Sequence, residues 1–230
     1  MLRRAVGARE WLDGPLPPAA LRATLEDLDF LNAWFGGYAL TLSRIRRLAT
    51  RLPSGRRLVV VDVGGGRGDF AVRLVRWARR RRRRVRVLLV DADPVVLAMA
   101  ARRTAGYPEI VLVQADAAAL PFGERAADVA VASLTLHHLE RDAAIGCLAG
   151  MASAAALVIV NDLLRTRLSL ALVWLTTRVL RLHPVSRNDG PLSVRRAYSA
   201  AEIASLAAQA GVRARIQRYP WLARLVAEIA

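Results

Sequence analysis

Two hydrophobic patterns alternate along the chain. Over 17–52 apolar residues recur every three to four positions: Leu21, Leu25, Leu28 and Phe30/Leu31 share one helical face, and Gly36-Gly37 splits the segment into two helical pieces. After Pro53-Ser54-Gly55, the run Leu58-Val59-Val60-Val61-Asp62-Val63 has no polar alternation, which predicts a strand covered on both faces. A helix carrying Phe70, Val72, Leu74, Val75 and Ala78 follows, then a strand over 85–90. Asp93-Pro94 is a helix start, an N-cap with proline at the first helical position. Strands over 110–113 and 129–132, a helix over 140–152 and a strand over 157–160 continue the alternation. The tail differs, with two adjacent strands over 212–219 and 222–229 on either side of Pro220.

Strands alternating with helices of this length build βαβ units and a parallel sheet. The predicted fold is α/β: a Rossmann-like, doubly wound, mostly parallel seven-stranded sheet, closed by a C-terminal antiparallel hairpin and preceded by an N-terminal helical cap. The expected division is a cap over 1–52 and a main domain over 53–230, with a helical insertion over about 163–198.

Composition changes this picture little. Of 230 residues, 54% are hydrophobic, ample for a packed core. The single cysteine, Cys147, excludes an intramolecular disulfide and a cysteine-based zinc cluster. The N-terminus lacks the apolar run of a signal peptide. The longest apolar stretch, 168–177 between Arg167 and Arg178, falls short of the roughly 20 residues of a bilayer span. A soluble, cytoplasmic protein is expected. The net charge of +16 would suit nucleic acid or an anionic surface. But all 35 basic residues are arginine and asparagine occurs three times, the bias of a GC-rich coding sequence, so the charge is a weak clue and nucleic acid is not the expected partner.

The chemistry concentrates after the first strand. Asp62-Val63-Gly64-Gly65-Gly66-Arg67-Gly68 sits at a strand-to-helix junction, where backbone N–H groups face a ligand. It fails the dinucleotide pattern, because the last position of Gly-x-Gly-x-x-Gly falls on Asp69, and it lacks the lysine and Ser/Thr of a P-loop. The next strand ends in Asp91, 23 residues past Gly68, where a carboxylate can accept both hydroxyls of a ribose. Asp116 follows the third strand and Ser133 ends the fourth.

The acidic-x-Gly-x-Gly-x-Gly arrangement at 62, 64, 66 and 68, with Asp91, Asp116 and 127–133 following in order, resembles the class I S-adenosylmethionine-dependent methyltransferases. The resemblance covers about 53–230. It implies S-adenosylmethionine as cofactor, with Asp62 toward the ammonium of its methionine moiety, Gly64, Gly65, Gly66 and Gly68 as the cradle, Asp91 and Ala92 at the ribose, Asp116 and Ala117 at the adenine, and Ser133 under the methyl donor. Leu134-Thr135-Leu136-His137-His138-Leu139, Asn161-Asp162-Leu163 and the segment 188–199 look like the small-molecule and quinone-biosynthesis-like branch, whose bacterial members modify polyketide, phenolic or quinone-like metabolites. Glu10-Trp11-Leu12-Asp13 and 32–38 look like that subgroup's N-terminal cap.

Methyl transfer to an O or N acceptor needs a base near neutrality, and His137 or His138 is the candidate. Tyr38, Asp162 and Arg165 are candidate substrate contacts, with core packing for Tyr38 and a helix N-cap for Asp162 as the plainer roles; no metal ligand set is expected. The apolar segment 163–182, with Arg165, Arg167, Arg178 and Arg181 near its ends, would roof a lipophilic acceptor, rest on an anionic membrane surface, or pack as a buried or dimer-interface helix. The leading expectation is a methyltransferase acting on a small aromatic or lipophilic metabolite. The alternatives are a nucleic-acid methyltransferase, disfavoured because Ser133-Leu134-Thr135-Leu136 stands where a base-flipping motif would be, and a non-catalytic cofactor-binding protein of a membrane surface.

Overall fold

A computed structural model describes residues 2–53 and 55–229. In chain order the elements are α1 (Pro18–Trp34), α2 (Gly37–Ala49), β1 (Leu58–Val63), α3 (Asp69–Arg80), β2 (Val85–Asp91), α4 (Pro94–Thr104), β3 (Ile110–Gln114), β4 (Ala127–Ser133), α5 (Arg141–Ala154), β5 (Ala155–Leu163), α6 (Arg167–Val179), α7 (Pro184–Arg196), α8 (Ala200–Gln209), β6 (Ala214–Tyr219) and β7 (Arg224–Ile229). The strands form one sheet ordered β3-β2-β1-β4-β5-β7-β6, and β7 runs against both of its neighbours while the other pairs are parallel.

Alternate strand residues feed two cores, as the two-residue period of a pleated strand requires. Val61, Val63, Ala130, Val158 and Val160 meet Leu148 and Met151 of α5 and Ile203 and Leu206 of α8 on one face. Val60, Leu89, Val129, Val131 and Ile159 meet Ile45 of α2, Leu74 of α3 and Leu97 of α4 on the other. With both faces covered, β1 and β4 can be apolar throughout. Cys147 is buried in the first core, and burial pushes its thiol up to about 12, so it is a packing residue.

Three boundaries differ from the sequence reading. The break at Gly36 is real and has a backbone cause, φ +78, but α2 packs in the sheet's own core rather than in a separate cap. Strand β5 continues to Leu163, so Asn161 and Asp162 lie within it, not after it. The apolar segment expected as one helix over 163–182 is the shorter α6, and a second helix, α7, starts at Pro184 with His183 as its N-cap. Parallel β4–β5 pairing keeps Asn161 in register with Ser133, and antiparallel pairing with β7 holds Asp162 opposite Leu225 and Leu163 opposite Arg224, which extends the strand. No helix of the described residues is long and apolar enough to cross a membrane.

Candidate active site

The glycine loop forms one wall of a cavity of about 410 Å³ at the carboxyl ends of β1, β2 and β4, the ligand edge of an open α/β sheet. Gly64 is held against the turn after β4: its φ is +66, and a Cβ there would stand 2.5 Å from Thr135 Oγ1. Gly66, φ +56, differs, because a Cβ there meets nothing within 4 Å; it is the open side of the loop. Gly65, Ala92, Asp116, Ala117 and Ser133 also line this space, whereas Gly68 lies behind it and opens α3.

The carboxylates of this cavity are tied in different ways. Asp91 accepts from the amides of Gly66 at 3.0 Å and Asp93 at 3.1 Å, which fixes it between the loop and α4; burial still leaves it above the usual carboxylate range. Asp116 accepts from the Ala118 amide at 2.8 Å. Asp62 is buried with Oδ2 lacking any hydrogen-bond partner, and burial plus the neighbouring Asp91 push its carboxyl up to about 7. A cation entering the cavity supplies what Asp62 lacks, so these residues fit a ligand with an ammonium group. Tyr38 reaches the same cavity from α2, stacked on Phe70 with centroids 5.8 Å apart and with the Arg73 guanidinium 4.9 Å above its ring. Burial raises its phenol, which stays protonated.

Beyond β4 the chain turns sharply. Leu134 takes φ +57, Thr135 Oγ1 donates to the Val63 carbonyl at 3.1 Å, and the fully buried Leu136 anchors the turn. This brings His137 over Asp162 on the adjacent β5: Nδ1 lies 2.6 Å from Asp162 Oδ1, and the His137 amide donates to Oδ2 at 3.1 Å. Burial alone would push Asp162 up, but His137, the Leu163 amide and Arg224 together hold it below the ordinary value. An ionised Asp162 accepts the proton of Nδ1 and leaves the lone pair on Nε2. That nitrogen lies 3.8 Å from Glu10 Oε1.

Glu10 comes from an N-terminal segment laid across the site. Asp189 of α7 accepts from the amides of Trp11 and Leu12, both at 2.9 Å, and the Ala5 amide donates to the Arg195 carbonyl at 2.9 Å. Burial drives the Glu10 carboxyl up to about 7, against the pull of His138, Ser193 and Arg196. His138 Nδ1 pairs with Asp13 Oδ1 at 2.7 Å, and Asp13 also binds Arg196, so His138 and Arg196 outweigh burial and hold it well below the usual range. Glu10, His137 and His138 offer donor atoms within 4.8 Å of one another, residue types that suit a divalent metal. Arg196 Nη1, 3.2 Å from Glu10 Oε1, already places a cation beside that carboxylate.

A second, mainly apolar cavity of about 160 Å³ lies on the other side of the histidines. Helix α6 covers it through Leu172, Val173 and Thr176, α1 through Leu28 and Leu31, and Arg224 lies in its wall. The two cavities share Leu12, Leu28, Leu134 and His138.

The sequence-predicted site residues therefore gather at these two cavities, with three exceptions, the first being Gly68, which lies behind the loop at the start of α3. Asp162 is the partner of His137 instead of a free substrate contact or an N-cap. Arg165 is turned away, buried against α8 with Nη2 2.6 Å from Glu202 Oε2, and lines neither cavity; the extension of β5 to Leu163 carries it past the ligand edge. Glu10, Asp13, Asp189, Arg196 and Arg224 escaped sequence reasoning. Glu10 and Asp13 belonged to a motif without an assigned chemistry, and Arg224 read as an ordinary strand residue.

The doubly wound sheet, with an acidic-glycine loop after its first strand and Asp91 at the end of its second, has the Rossmann-like methyltransferase fold. Residues 60–156 match the family described as methyltransferase domain. No curated protein sequence matches the chain. Among solved structures, a SAM-dependent methyltransferase from Aquifex aeolicus is 17% identical, with TM-score 0.57 over 75% of this chain and 81% of that one. The CurJ carbon methyltransferase is 13% identical, with TM-score 0.68 over 94% of this chain and 61% of that one. The O-methyltransferase NcsB1 from neocarzinostatin biosynthesis, crystallised with S-adenosyl-L-homocysteine and 1,4-dihydroxy-2-naphthoic acid, is 22% identical, with TM-score 0.54 over 75% of this chain and 48% of that one. At these identities the likeness is one of fold, and this chain spans about half to two thirds of the length of the last two.

Proposed function

We propose that the protein binds S-adenosylmethionine in the larger cavity and transfers its methyl group to an oxygen or carbon of a small aromatic or lipophilic metabolite, of the polyketide, phenol or quinone kind, held in the smaller one. The observation that carries this reading is the common wall: a cavity suited to a cationic nucleoside ligand and an apolar cavity meet at Leu134 and His138, with the His137–Asp162 pair beside them. The cofactor, when bound, supplies an electrophilic methyl group. Asp62 would hold its ammonium, Asp91 its ribose and Asp116 its adenine.

The chain's own part is alignment and proton removal. Leu28, Leu31, Leu172 and Val173 exclude water and fix an apolar acceptor, which converts binding into proximity. His137 Nε2 takes the acceptor's proton, and Asp162 stabilises the imidazolium that results, an arrangement that needs no metal. His138, anchored by Asp13, flanks the same junction. A methyl-transfer assay with labelled cofactor against phenols, quinols and β-keto esters tests the reading; turnover on RNA and on none of the small molecules would replace it with the nucleic-acid alternative.

A second reading concerns delivery. Trp34, Trp174 and Trp221 are exposed, as are Leu175 and Val179 of α6, and Arg167, Arg178 and Arg181 stand among them. Exposed tryptophans with arginines on an apolar helix suit the headgroup layer of an anionic membrane, from which a lipophilic acceptor would enter.

A further inference from the structure

Four arginines are buried: Arg44, Arg165, Arg196 and Arg224. A buried guanidinium cannot shed its proton and is costly unless a carboxylate compensates it. Three have that compensation, Arg44 from Glu228 at 2.9 Å, Arg165 from Glu202 at 2.6 Å, and Arg196 from Asp13. Arg224 has no carboxylate within 4.0 Å among the described residues. Its Nη2 donates to Asn32 Oδ1 at 2.7 Å, and its buried Nη1 has no partner. Asp162 acts on it from further off, but the oxygens of Asp162 are already engaged by the ring and amide of His137 and the amide of Leu163.

Arg224 also lies in the wall of the smaller cavity, whose other lining is mainly leucine and threonine; of the two carboxyl groups there, Glu10 faces Arg196 and Asp189 is engaged by the Trp11 and Leu12 amides, and His137 and His138 complete the polar part. An apolar chamber with one under-compensated cation in its wall is complementary to a ligand with an apolar body and one anionic group. The volume, about 160 Å³, is close to the roughly 150 Å³ that holds a benzene ring in an apolar protein cavity.

We propose that the acceptor, or the part of it seated in this cavity, is an aromatic or aliphatic carboxylate, and that Arg224 is the residue that selects it. The inference rests on the methyltransferase reading for the word acceptor, but the anion site itself stands on Arg224 and its cavity. The carboxylate would pair with the guanidinium, bidentate geometry being the usual arrangement, and complete the compensation that the fold leaves open. The same seat fixes the ring relative to His137, which lines the same cavity.

Calorimetry separates the two readings. S-adenosyl-L-homocysteine is titrated into the full chain first, and then, with and without it, benzoate, phenylacetate and 2-hydroxybenzoate are compared with benzamide, phenylacetamide and 2-methylphenol. The proposal expects at least one acid to bind about tenfold or more tighter than its neutral counterpart. It expects that preference to vanish in Arg224→Met, with neutral ligands held within about threefold, and to survive in part in Arg224→Lys. Equal binding of acids and neutral counterparts, failure of all three acids to bind, or an acid preference that persists in Arg224→Met would each overturn it. If Arg224→Met does not fold, the wild-type comparison and Arg224→Lys decide. Loss of homocysteine-cofactor binding with acid preference intact would overturn the methyltransferase reading alone.

Discussion

His137 Nδ1 sits 2.6 Å from Asp162 Oδ1, a pairing between a turn that follows one strand and the interior of the next. The geometry sets the tautomer, and the tautomer sets which nitrogen can act as a base. Asp162→Asn would present an amide that stabilises the wrong tautomer and no imidazolium. The expected result in steady-state methyl-transfer kinetics is a fall in kcat of about a hundred- to ten-thousandfold, matched by His137→Ala, with affinity for S-adenosyl-L-homocysteine within about threefold of wild type. A fall in cofactor affinity with kcat preserved would make Asp162 a purely structural residue.

Cofactor affinity should depend on pH through Asp62. Its carboxyl is raised to about 7 by burial and Asp91, so it is largely protonated at pH 6 and ionised at pH 8. An ammonium ligand prefers the ionised form. Affinity for S-adenosyl-L-homocysteine therefore rises with pH through 7, approaching about tenfold per unit on the acid side. Asp62→Asn should bind weakly with that dependence removed; a wild-type profile flat between pH 6 and 8 would contradict the assignment.

Glu10 carries an opposite lesson for stability. A carboxyl raised from the ordinary 4.5 to about 7 is held protonated by the fold, so its contribution is fully present below 4.5 and lost as pH rises through 7. Glu10→Gln removes the ionisation, and its melting temperature should gain on wild type as pH goes from 5 to 8.5. The difference corresponds to about 1–3 kcal/mol. Because the Arg196 guanidinium already stands beside Glu10, wild-type turnover should also survive exhaustive chelation; loss of activity restored by a divalent metal would reassign Glu10, His137 and His138 as ligands.

The glycine loop offers a test that separates folding from binding. In Gly64→Ala the added carbon meets Thr135 Oγ1 at 2.5 Å, so the turn carrying His137 must move and melting temperature should fall. In Gly66→Ala nothing lies within 4 Å, and the left-handed backbone alone should cost about 1 kcal/mol. Its larger effect should be on cofactor affinity, since the methyl stands in the open cavity. Equal losses of stability in the two variants would count against this division of roles.

Much of this was legible in the chain. The unbroken run of β1 and the Asp93-Pro94 start of α4 are local signals, and the structure has both in place, whereas β4 extends beyond the 129–132 of the pattern to Ala127–Ser133. The seven strands and the closing antiparallel pair followed from counting. The cavity proposed for the cofactor was readable because its residues come in order from successive strand ends. What escaped depends on contacts across the chain. Asp162 meets His137 only because β4 and β5 are neighbours in register, and Arg224 is buried only because β7 slots between β5 and β6. Glu10 is 127 residues from His137, and no periodicity encodes that approach.

Membrane contact rests on the exposed face of α6 and Trp221, and predicts sedimentation with vesicles containing anionic lipid but not with zwitterionic ones. Trp174→Ser with Trp221→Ser should abolish it without lowering melting temperature, because both side chains are exposed. Sedimentation unaffected by the double substitution would remove this surface from consideration.

Calorimetric titration of S-adenosylmethionine and S-adenosyl-L-homocysteine into wild type and Asp91→Ala tests the larger cavity as the cofactor site. Both should bind wild type in the micromolar range, with a loss of about tenfold or more in Asp91→Ala, which gives up the carboxylate joined to the Gly66 amide and proposed to hold the ribose. A folded wild type that binds neither ligand would contradict that assignment.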